Sequence, residues 1–138
     1  MDKVHFLGRL NAEQMKEQYL NCHVFVCPSS IENSPNSVGE AMILGTPAVC
    51  ADVGGISSIF YGQDAEHLAQ ADYPADGILY EPGNVEALAA AVCYVFDESN
   101  AARIEQFCDN ASTHARDTHD AEKNYQRLME IYGDLYYK

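Results

Sequence analysis

The chain has 138 residues, of which 47% are hydrophobic, so its length and apolar content are those of one domain with its own core. Eight Lys and Arg stand against 21 Asp and Glu, which leaves a net charge of −13. A charge of this sign repels nucleic-acid phosphates and anionic lipid headgroups, so neither is an expected partner. No apolar run approaches about 18 residues, and the first residues do not form a signal peptide.

The cysteines and histidines show no spacing typical of a disulfide framework or a metal site. The five cysteines are odd in number and lack a C-x-x-C pair, so we interpret them as buried free thiols of a reducing compartment. The histidines are scattered, and the separation of His114 from His119 does not place both on one helical face. We therefore expect a cytoplasmic protein, and the sequence leaves open whether a full-length form attaches to the inner membrane surface.

Short apolar runs alternate with helical patterns along the chain. Strands are predicted for residues 4–8, 23–27, 47–51 and 77–80. Helices are predicted for residues 12–20, 38–44, 56–61, 85–96, 100–115 and 120–136, with Asn11 and Asn84 as caps of the first and fourth. Residues 62–76 are predicted to be irregular. This order predicts an α/β, Rossmann-like fold, in which helices flank a parallel sheet of about four strands and the last two helices close the unit.

The most informative stretch runs from Pro28 to Met42 and joins the second predicted strand to the following helix. Ser37 and Glu40 have the S-x-x-E spacing of a capping box, and Gly45 marks the expected helix end. A strand, a Gly/Ser/Asn/Pro loop and a helix amino end place free backbone N–H groups at the carboxyl edge of a parallel sheet. Open α/β folds bind ligands at this edge, phosphates included.

Two carboxylates, Glu32 and Glu40, flank this loop with seven residues between them. A capping role for Glu40 and a solvated loop position for Glu32 would explain both without a ligand. The alternative is that both face one crevice. Because a carboxylate repels a phosphate bound beside it, Glu40 suits neutral ribose hydroxyls, and a ligand with hydroxyls next to a diphosphate is a sugar nucleotide.

These motifs resemble the nucleotide-sugar half of the retaining glycosyltransferases of family 4. The resemblance rests on Pro28-Ser29 ahead of Glu32, on Glu40-Ala41-Met42, on Gly45-Thr46-Pro47 and on Gly54-Gly55, and it extends over nearly the whole chain. It implies the GT-B architecture of two Rossmann-like domains. This chain would be the carboxyl-terminal, donor-binding part.

The resemblance also implies roles for individual residues. Glu32 would be catalytic, because it would bind the donor hexose and support positive charge at the anomeric carbon, while Glu40 would bind the donor ribose. Backbone groups of the loop would contact sugar and diphosphate, and residues after the first strand would border the base. These further donor-binding residues are Asn33, Ser34, Asn36, Ser37, Val38, Gly39, Gly8, Arg9 and Leu10.

The resemblance further implies a nucleotide-sugar donor, no obligatory metal or other cofactor, and a glycan, lipid or small-molecule acceptor, as in polysaccharide biosynthesis. The sequence departs from the family at Pro35, which has no N–H, and at Ser57-Ser58, where a carboxylate is common. The basic residues that clamp the diphosphate, the first strand–helix units and the acceptor domain would precede residue 1. We therefore expect residues 1–138 to form a single domain that binds a nucleotide sugar weakly at best and does not transfer it.

Two other interpretations stay open. One is a non-catalytic, flavodoxin-like interaction module whose acidic surface recruits a partner, with Glu40 as a helix cap. The other is an epimerase or phosphorylase of the same two-domain architecture, although the lysines are poorly placed for a phosphorylase cofactor. Tyr125, Tyr132 and Tyr136 have helical spacing and are interpreted as core or as a docking face, which could drive self-association if left uncovered.

Overall fold

A computed structural model describes residues 3–63 and 75–136. Its helices are α1 (Ala12–Asn21), α2 (Asn36–Ile43), α3 (Ile56–Ile59), α4 (Val85–Phe96), α5 (Ala101–Thr118) and α6 (Ala121–Tyr136), with a 3-10 turn over Glu98–Asn100. Its strands are β1 (Phe25–Cys27), β2 (Ala48–Ala51), β3 (Gly62–Gln63) and β4 (Gly77–Tyr80). All pairings are parallel, in the order β1-β2-β4-β3. The predicted α/β fold with a parallel sheet flanked by helices is confirmed.

Three of the four predicted strands are present, but the prediction for residues 4–8 is wrong. This segment pairs with no strand among the described residues, and Phe6 is 96% exposed. An apolar run becomes a strand only where a neighbour satisfies its backbone groups. The remaining strand, the two-residue β3, lies in the segment predicted to be irregular, of which residues 64–74 lie outside the described part. Gly62 permits this pairing because a Cβ there would lie 2.1 Å from Leu79 Cγ.

The core lies on both faces of β2, whose four residues are all buried. One face packs with Val38 and Met42 of α2 and with Ile56 of α3, and the other packs with Ala91 of α4. Helix α5 contributes to both clusters, through Ala111 on one side and Phe107 on the other. Successive strand residues point to opposite faces, so a central parallel strand needs apolar residues at every position.

The ends of the helices follow the sequence signals at most positions. Asn11 and Gln14 form the predicted capping box of α1, and the Asn84 side chain caps α4. The Ser37 cap predicted for α2 is wrong: the helix begins at Asn36, two residues before the predicted start, with Pro35 at the N-cap and no side-chain capping bond. Proline has a φ that suits entry into a helix but no side-chain acceptor, so this N-cap position supplies no side-chain hydrogen bond to the first turn.

Helix α2 ends in a Schellman motif built on Gly45 and Thr46. Gly45 has a φ of +69°, its N–H donates to the Met42 carbonyl at 3.0 Å, and the Thr46 N–H donates to the Ala41 carbonyl at 2.9 Å. Glycine adopts this left-handed conformation without a Cβ penalty. The predicted helix end at Gly45 is confirmed.

The cysteines are all free, as predicted, but only some are buried. Cys27 and Cys50 are buried and occupy paired positions on β1 and β2. Cys22, the C-cap residue of α1, and Cys93, on α4, are exposed. The prediction that the thiols are buried is therefore wrong for those two residues.

Helix α6 presents its apolar face to solvent. Tyr125 is 57% exposed, Tyr132 53% and Tyr136 86%, so the interpretation of these tyrosines as core is wrong. Leu128 and Leu135, at the same helical spacing, are also exposed. A docking role for this face, including self-association, stays a prediction. Within the described residues, no helix is both long enough and apolar enough to cross a membrane.

A buried carboxylate ties the amino ends of β3 and β4 to α5. Asp76, only 2% exposed, accepts a hydrogen bond from the Tyr61 N–H at 2.8 Å, and its Oδ2 lies 2.7 Å from His114 Nδ1. The His114 ring stacks on the Tyr61 ring at 4.3 Å between centroids. These contacts satisfy a carboxylate that would otherwise be costly to bury.

We expect Asp76→Ala to lower the free energy of unfolding by about 2–4 kcal/mol, because it leaves the Tyr61 N–H and His114 without their acceptor. Urea denaturation measures the change. Asp109→Ala, an exposed change on α5, is the matched control and should lie within about 0.5 kcal/mol of the wild type. An Asp76→Ala effect no larger than that of the control would contradict the structural role of the carboxylate.

Candidate functional site

The loop after β1 rests directly on the turn after β2. The Gly55 N–H donates to the Glu32 carbonyl oxygen at 3.1 Å. A Cβ on Gly54 would lie 1.8 Å from the Glu32 oxygen, and one on Gly55 would lie 1.6 Å from the Asn33 oxygen. Both positions therefore require glycine. Because β1 and β2 are parallel neighbours, this contact builds the loop at the carboxyl edge of the sheet, where the sequence predicted it.

Glu32 is half-buried in this loop, and its side chain is held by a nearby hydroxyl. Ser29 Oγ donates to Glu32 Oε1 at 2.6 Å. Ser29 Oγ in turn lies 3.8 Å from Cys27 Sγ at the end of β1. The Pro28-Ser29 motif therefore has a physical role that the sequence alone did not reveal, which is to fix one oxygen of the carboxylate three residues further along.

Glu40 lies on α2, is exposed, and faces α1. Its Oε2 accepts a hydrogen bond from the Tyr19 hydroxyl at 3.2 Å, while Tyr19 itself is only 4% exposed. Burial, followed by the negative charge of Glu40 and its hydrogen bond, raises the pKa of Tyr19 to about 12. Tyr19 thus stays protonated at neutral pH and donates to Glu40. The sequence indicated no role for Tyr19 beyond its place in the helix predicted for residues 12–20.

A groove of about 530 Å³ separates α1 from α2. Leu10, Met15 and Ile43 give it an apolar wall. Its polar lining residues are Asn11, Glu13, Lys16, Tyr19 and Glu40. The volume lies in the range of small-molecule sites. The groove brings together Leu10 and Glu40, two residues that were assigned to base and ribose from the resemblance.

The remaining predicted binding residues divide by exposure. Asn33, Ser34 and Asn36 are exposed and Ser37 is half-buried, so the side of the loop that carries them meets solvent. Val38 is buried, and its N–H is not free, because it donates to the Pro35 carbonyl at 3.1 Å.

Gly39 is buried as well, where α2 packs on the end of α5. A Cβ on Gly39 would lie 3.0 Å from Nε2 of His119, the residue that ends α5.

Gly8, with a φ of +68°, and Arg9 are exposed, and neither lines the groove. Glu32 does not line it either, so the two carboxylates have separate surroundings. Across residues 3–63 and 75–136, no three His, Cys, Asp or Glu side chains come together as a group that could hold a metal ion.

Comparisons with known proteins agree on the kind of enzyme this chain resembles. The family described as "Glycosyl transferases group 1" matches residues 1–116. The chain is 36% identical over 85 residues to a protein of Bacillus subtilis (strain 168) named putative teichuronic acid biosynthesis glycosyltransferase TuaC. This alignment covers 62% of the present chain and 19% of the Bacillus protein. It is 37% identical over 81 residues to sulfoquinovosyl transferase SQD2 of Arabidopsis thaliana, covering 59% of this chain and 14% of that protein.

The fold is similar to that of sucrose-phosphate synthase from Thermosynechococcus elongatus, with a TM-score of 0.78 and 24% sequence identity. That similarity covers 98% of this chain and 31% of the synthase chain, and it supports the expected GT-B fold. The chain thus spans a fifth or less of the two curated relatives, at 19% and 14% of their lengths. Because the family match extends over most of its residues, this chain belongs to the group 1 glycosyl transferases.

Proposed function

We propose that this chain binds the nucleotide-sugar donor of a retaining glycosyltransferase, and that a longer protein containing it transfers the sugar to an acceptor. One observation carries the proposal: Glu32 and Glu40 stand on either side of one strand-to-helix junction, each with one oxygen held by a hydroxyl and each still reached by solvent. Membership of a glycosyltransferase family supports the proposal.

Glu40 and the α1–α2 groove would take the nucleoside. A carboxylate accepts two hydrogen bonds from a vicinal diol, so Glu40 suits the ribose hydroxyls. The apolar wall beside Leu10 suits the flat face of a base, and Leu10 is close enough in space to line the same groove as Glu40. Base and ribose are joined directly in a nucleotide, which fits this adjacency.

Glu32 and its loop would take the transferred sugar and the diphosphate. With Oε1 engaged by Ser29, the other carboxylate oxygen would accept from hexose hydroxyls and support positive charge that develops at the anomeric carbon. Exposed loop residues, Asn33, Ser34 and Asn36 among them, would supply N–H groups to the diphosphate. We infer that donor binding needs no obligatory metal, so a chelator should leave the affinity unchanged.

Turnover would need more than this chain. Transfer requires an acceptor held against the donor and a cleft from which water is excluded. The curated relatives are several times longer than this chain, which supports placing the acceptor site in the rest of a longer protein. The Bacillus relative is named for teichuronic acid biosynthesis, which supports polysaccharide biosynthesis as the process that the longer protein would serve. The alternative function is a non-catalytic interaction module, for which the exposed face of α6 would provide a contact surface.

We expect Glu40→Ala to weaken binding of a nucleoside diphosphate and of its sugar conjugate by about the same factor, roughly tenfold, since both contain the ribose. Calorimetric titration of the 138-residue chain measures both, and the two ligands should compete. Glu86→Ala, an exposed change on α4, should leave both affinities unchanged. Equal affinities in the wild type and Glu40→Ala would favour the interaction module.

We expect Glu32→Ala to weaken binding of the sugar conjugate by roughly tenfold and to leave the affinity for the free nucleoside diphosphate unchanged, because Glu32 is assigned only to the hexose. The same titrations measure this difference between the two ligands. A loss of affinity for both would contradict the division of roles between the acids. Sugar transfer by the 138-residue chain that disappears in Glu32→Ala would contradict the requirement for a longer protein.

We expect Gly55→Ala to lower the free energy of unfolding by about 2 kcal/mol and to remove the preference for the sugar conjugate, because its Cβ would displace the Glu32 loop. Gly133→Ala is the matched control: its Cβ meets nothing within 4 Å, and alanine favours the helix by up to about 1 kcal/mol. Denaturation and titration measure the two effects. A Gly55→Ala chain as stable as the wild type would contradict the close loop–turn contact.

A further inference from the structure

We propose that Tyr19 is a positioning residue for Glu40, and that its hydroxyl holds one carboxylate oxygen of Glu40 so that the other oxygen is presented to the ribose hydroxyls of the donor. This inference rests on the proposed function, because it takes Glu40 as the acceptor for ribose. Tyr19 is not proposed to contact the reacting atoms. It would act only through Glu40.

The first support is the contrast between the two side chains. Glu40 is exposed on a helix surface, where a glutamate samples many rotamers, and holding it in one geometry costs conformational entropy. Tyr19 is 4% exposed and donates to Oε2 of Glu40 at 3.2 Å, and both residues line the same groove. A rigid donor that engages one oxygen lowers the entropy that ligand binding would otherwise have to offset.

The second support is that Tyr19 is itself fixed by its neighbours. Its ring meets the Phe25 ring edge to face, with 5.4 Å between centroids. Its carbonyl oxygen accepts a hydrogen bond from the hydroxyl of the buried Thr46 at 3.0 Å. A side chain packed against β1 and a backbone held by Thr46 give the hydroxyl a defined position.

Thr46 connects the segment that carries Tyr19 with the helix that carries Glu40. Thr46 belongs to the Schellman motif that closes α2, and α2 is the helix that carries Glu40. The same helix end therefore sets where Tyr19 lies and where Glu40 lies. This gives the Gly45-Thr46-Pro47 motif, which the proposed donor contacts leave unused, a role in holding the Tyr19–Glu40 pair together.

The charges around the hydroxyl favour its role as a donor. Burial raises the pKa of Tyr19 most, and the charge and hydrogen bond of Glu40, with smaller effects of Cys22 and Cys27, raise it further, to about 12. Lys16 and Glu13 of α1 line the same groove but pair with each other at 3.8 Å. The Tyr19 proton is therefore retained at neutral pH and is available to Glu40.

The first experiment compares nucleotides with and without ribose hydroxyls. The 138-residue chain is titrated with UDP, GDP and ADP, and the tightest is compared with its 2′,3′-dideoxy counterpart. We expect the wild type to bind the ribonucleotide more tightly than the dideoxynucleotide, and Glu40→Gln to abolish this difference in affinity. We expect Tyr19→Phe to reduce the difference about fivefold, because it weakens binding of the ribonucleotide alone. Tyr94→Phe, a half-buried tyrosine on α4, should keep the full preference.

The outcomes separate this inference from the proposed function. If Tyr19→Phe keeps the wild-type preference while Glu40→Gln loses it, the positioning role is overturned and the ribose site stands. If Glu40→Gln also keeps the preference, or if the wild type binds none of the three nucleotides, the proposed function fails. If Tyr19 has only a structural role, Tyr19→Phe would weaken binding of the ribonucleotide and of the dideoxynucleotide by the same factor. That result would also overturn the inference.

A second measurement tests the contact without any ligand. The ζ-carbon signal of Tyr19 is followed by NMR over the alkaline range in which circular dichroism shows the chain folded. We expect the pKa of Tyr19 to be raised to about 12 in the wild type and to be lower in Glu40→Gln, because the carboxylate charge and its hydrogen bond are removed. A Tyr19 titration that does not respond to Glu40→Gln would overturn the inference.

Discussion

The close approach of the Glu32 loop to the Gly54–Gly55 turn is the constraint on which the site depends. Two backbone segments that follow neighbouring parallel strands lie so close that a Cβ on either glycine would overlap a carbonyl oxygen. The hydrogen bond from the Gly55 N–H to the Glu32 carbonyl then fixes the loop relative to β2. Since all four residues of β2 are buried, the position of Glu32 is set by a strand at the core of the fold.

Each of the two acids is oriented by a hydroxyl from another part of the chain. Ser29 engages Glu32 from within the loop, and Tyr19 engages Glu40 from across the α1–α2 groove. A carboxylate has more acceptor capacity than one hydroxyl can use, so each acid can accept further hydrogen bonds from a ligand. Fixed in direction yet open to solvent, these groups have the preorganisation that binding sites need.

The sequence predicted the features that depend on local signals. Buried strands appear as apolar runs, the Asn11 and Asn84 caps follow from spacing, and Gly45 ends α2 because of its backbone freedom. Features that depend on distant partners were not predictable. The apolar run at residues 4–8 is not a strand, since no described residues pair with it, and Tyr19 gained its role only from the position of α2. For the site, therefore, the sequence located the junction and both acids but not the hydroxyls that orient them.

The net charge of −13 limits how an anionic ligand could be held here. The overall field repels a diphosphate, so the attraction that this chain itself supplies would come from backbone N–H groups at the start of α2 and from contacts to the nucleoside. Each acid would therefore have to accept hydrogen bonds from ligand hydroxyls and lie away from the phosphates. The hydrogen bond from Tyr19 of α1 favours this for Glu40, because it holds the carboxylate toward the groove. Carboxylates that are held in direction can meet hydroxyls while their charge stays turned from the phosphates, so Ser29 and Tyr19 would contribute to the proposed site through the acids that they orient.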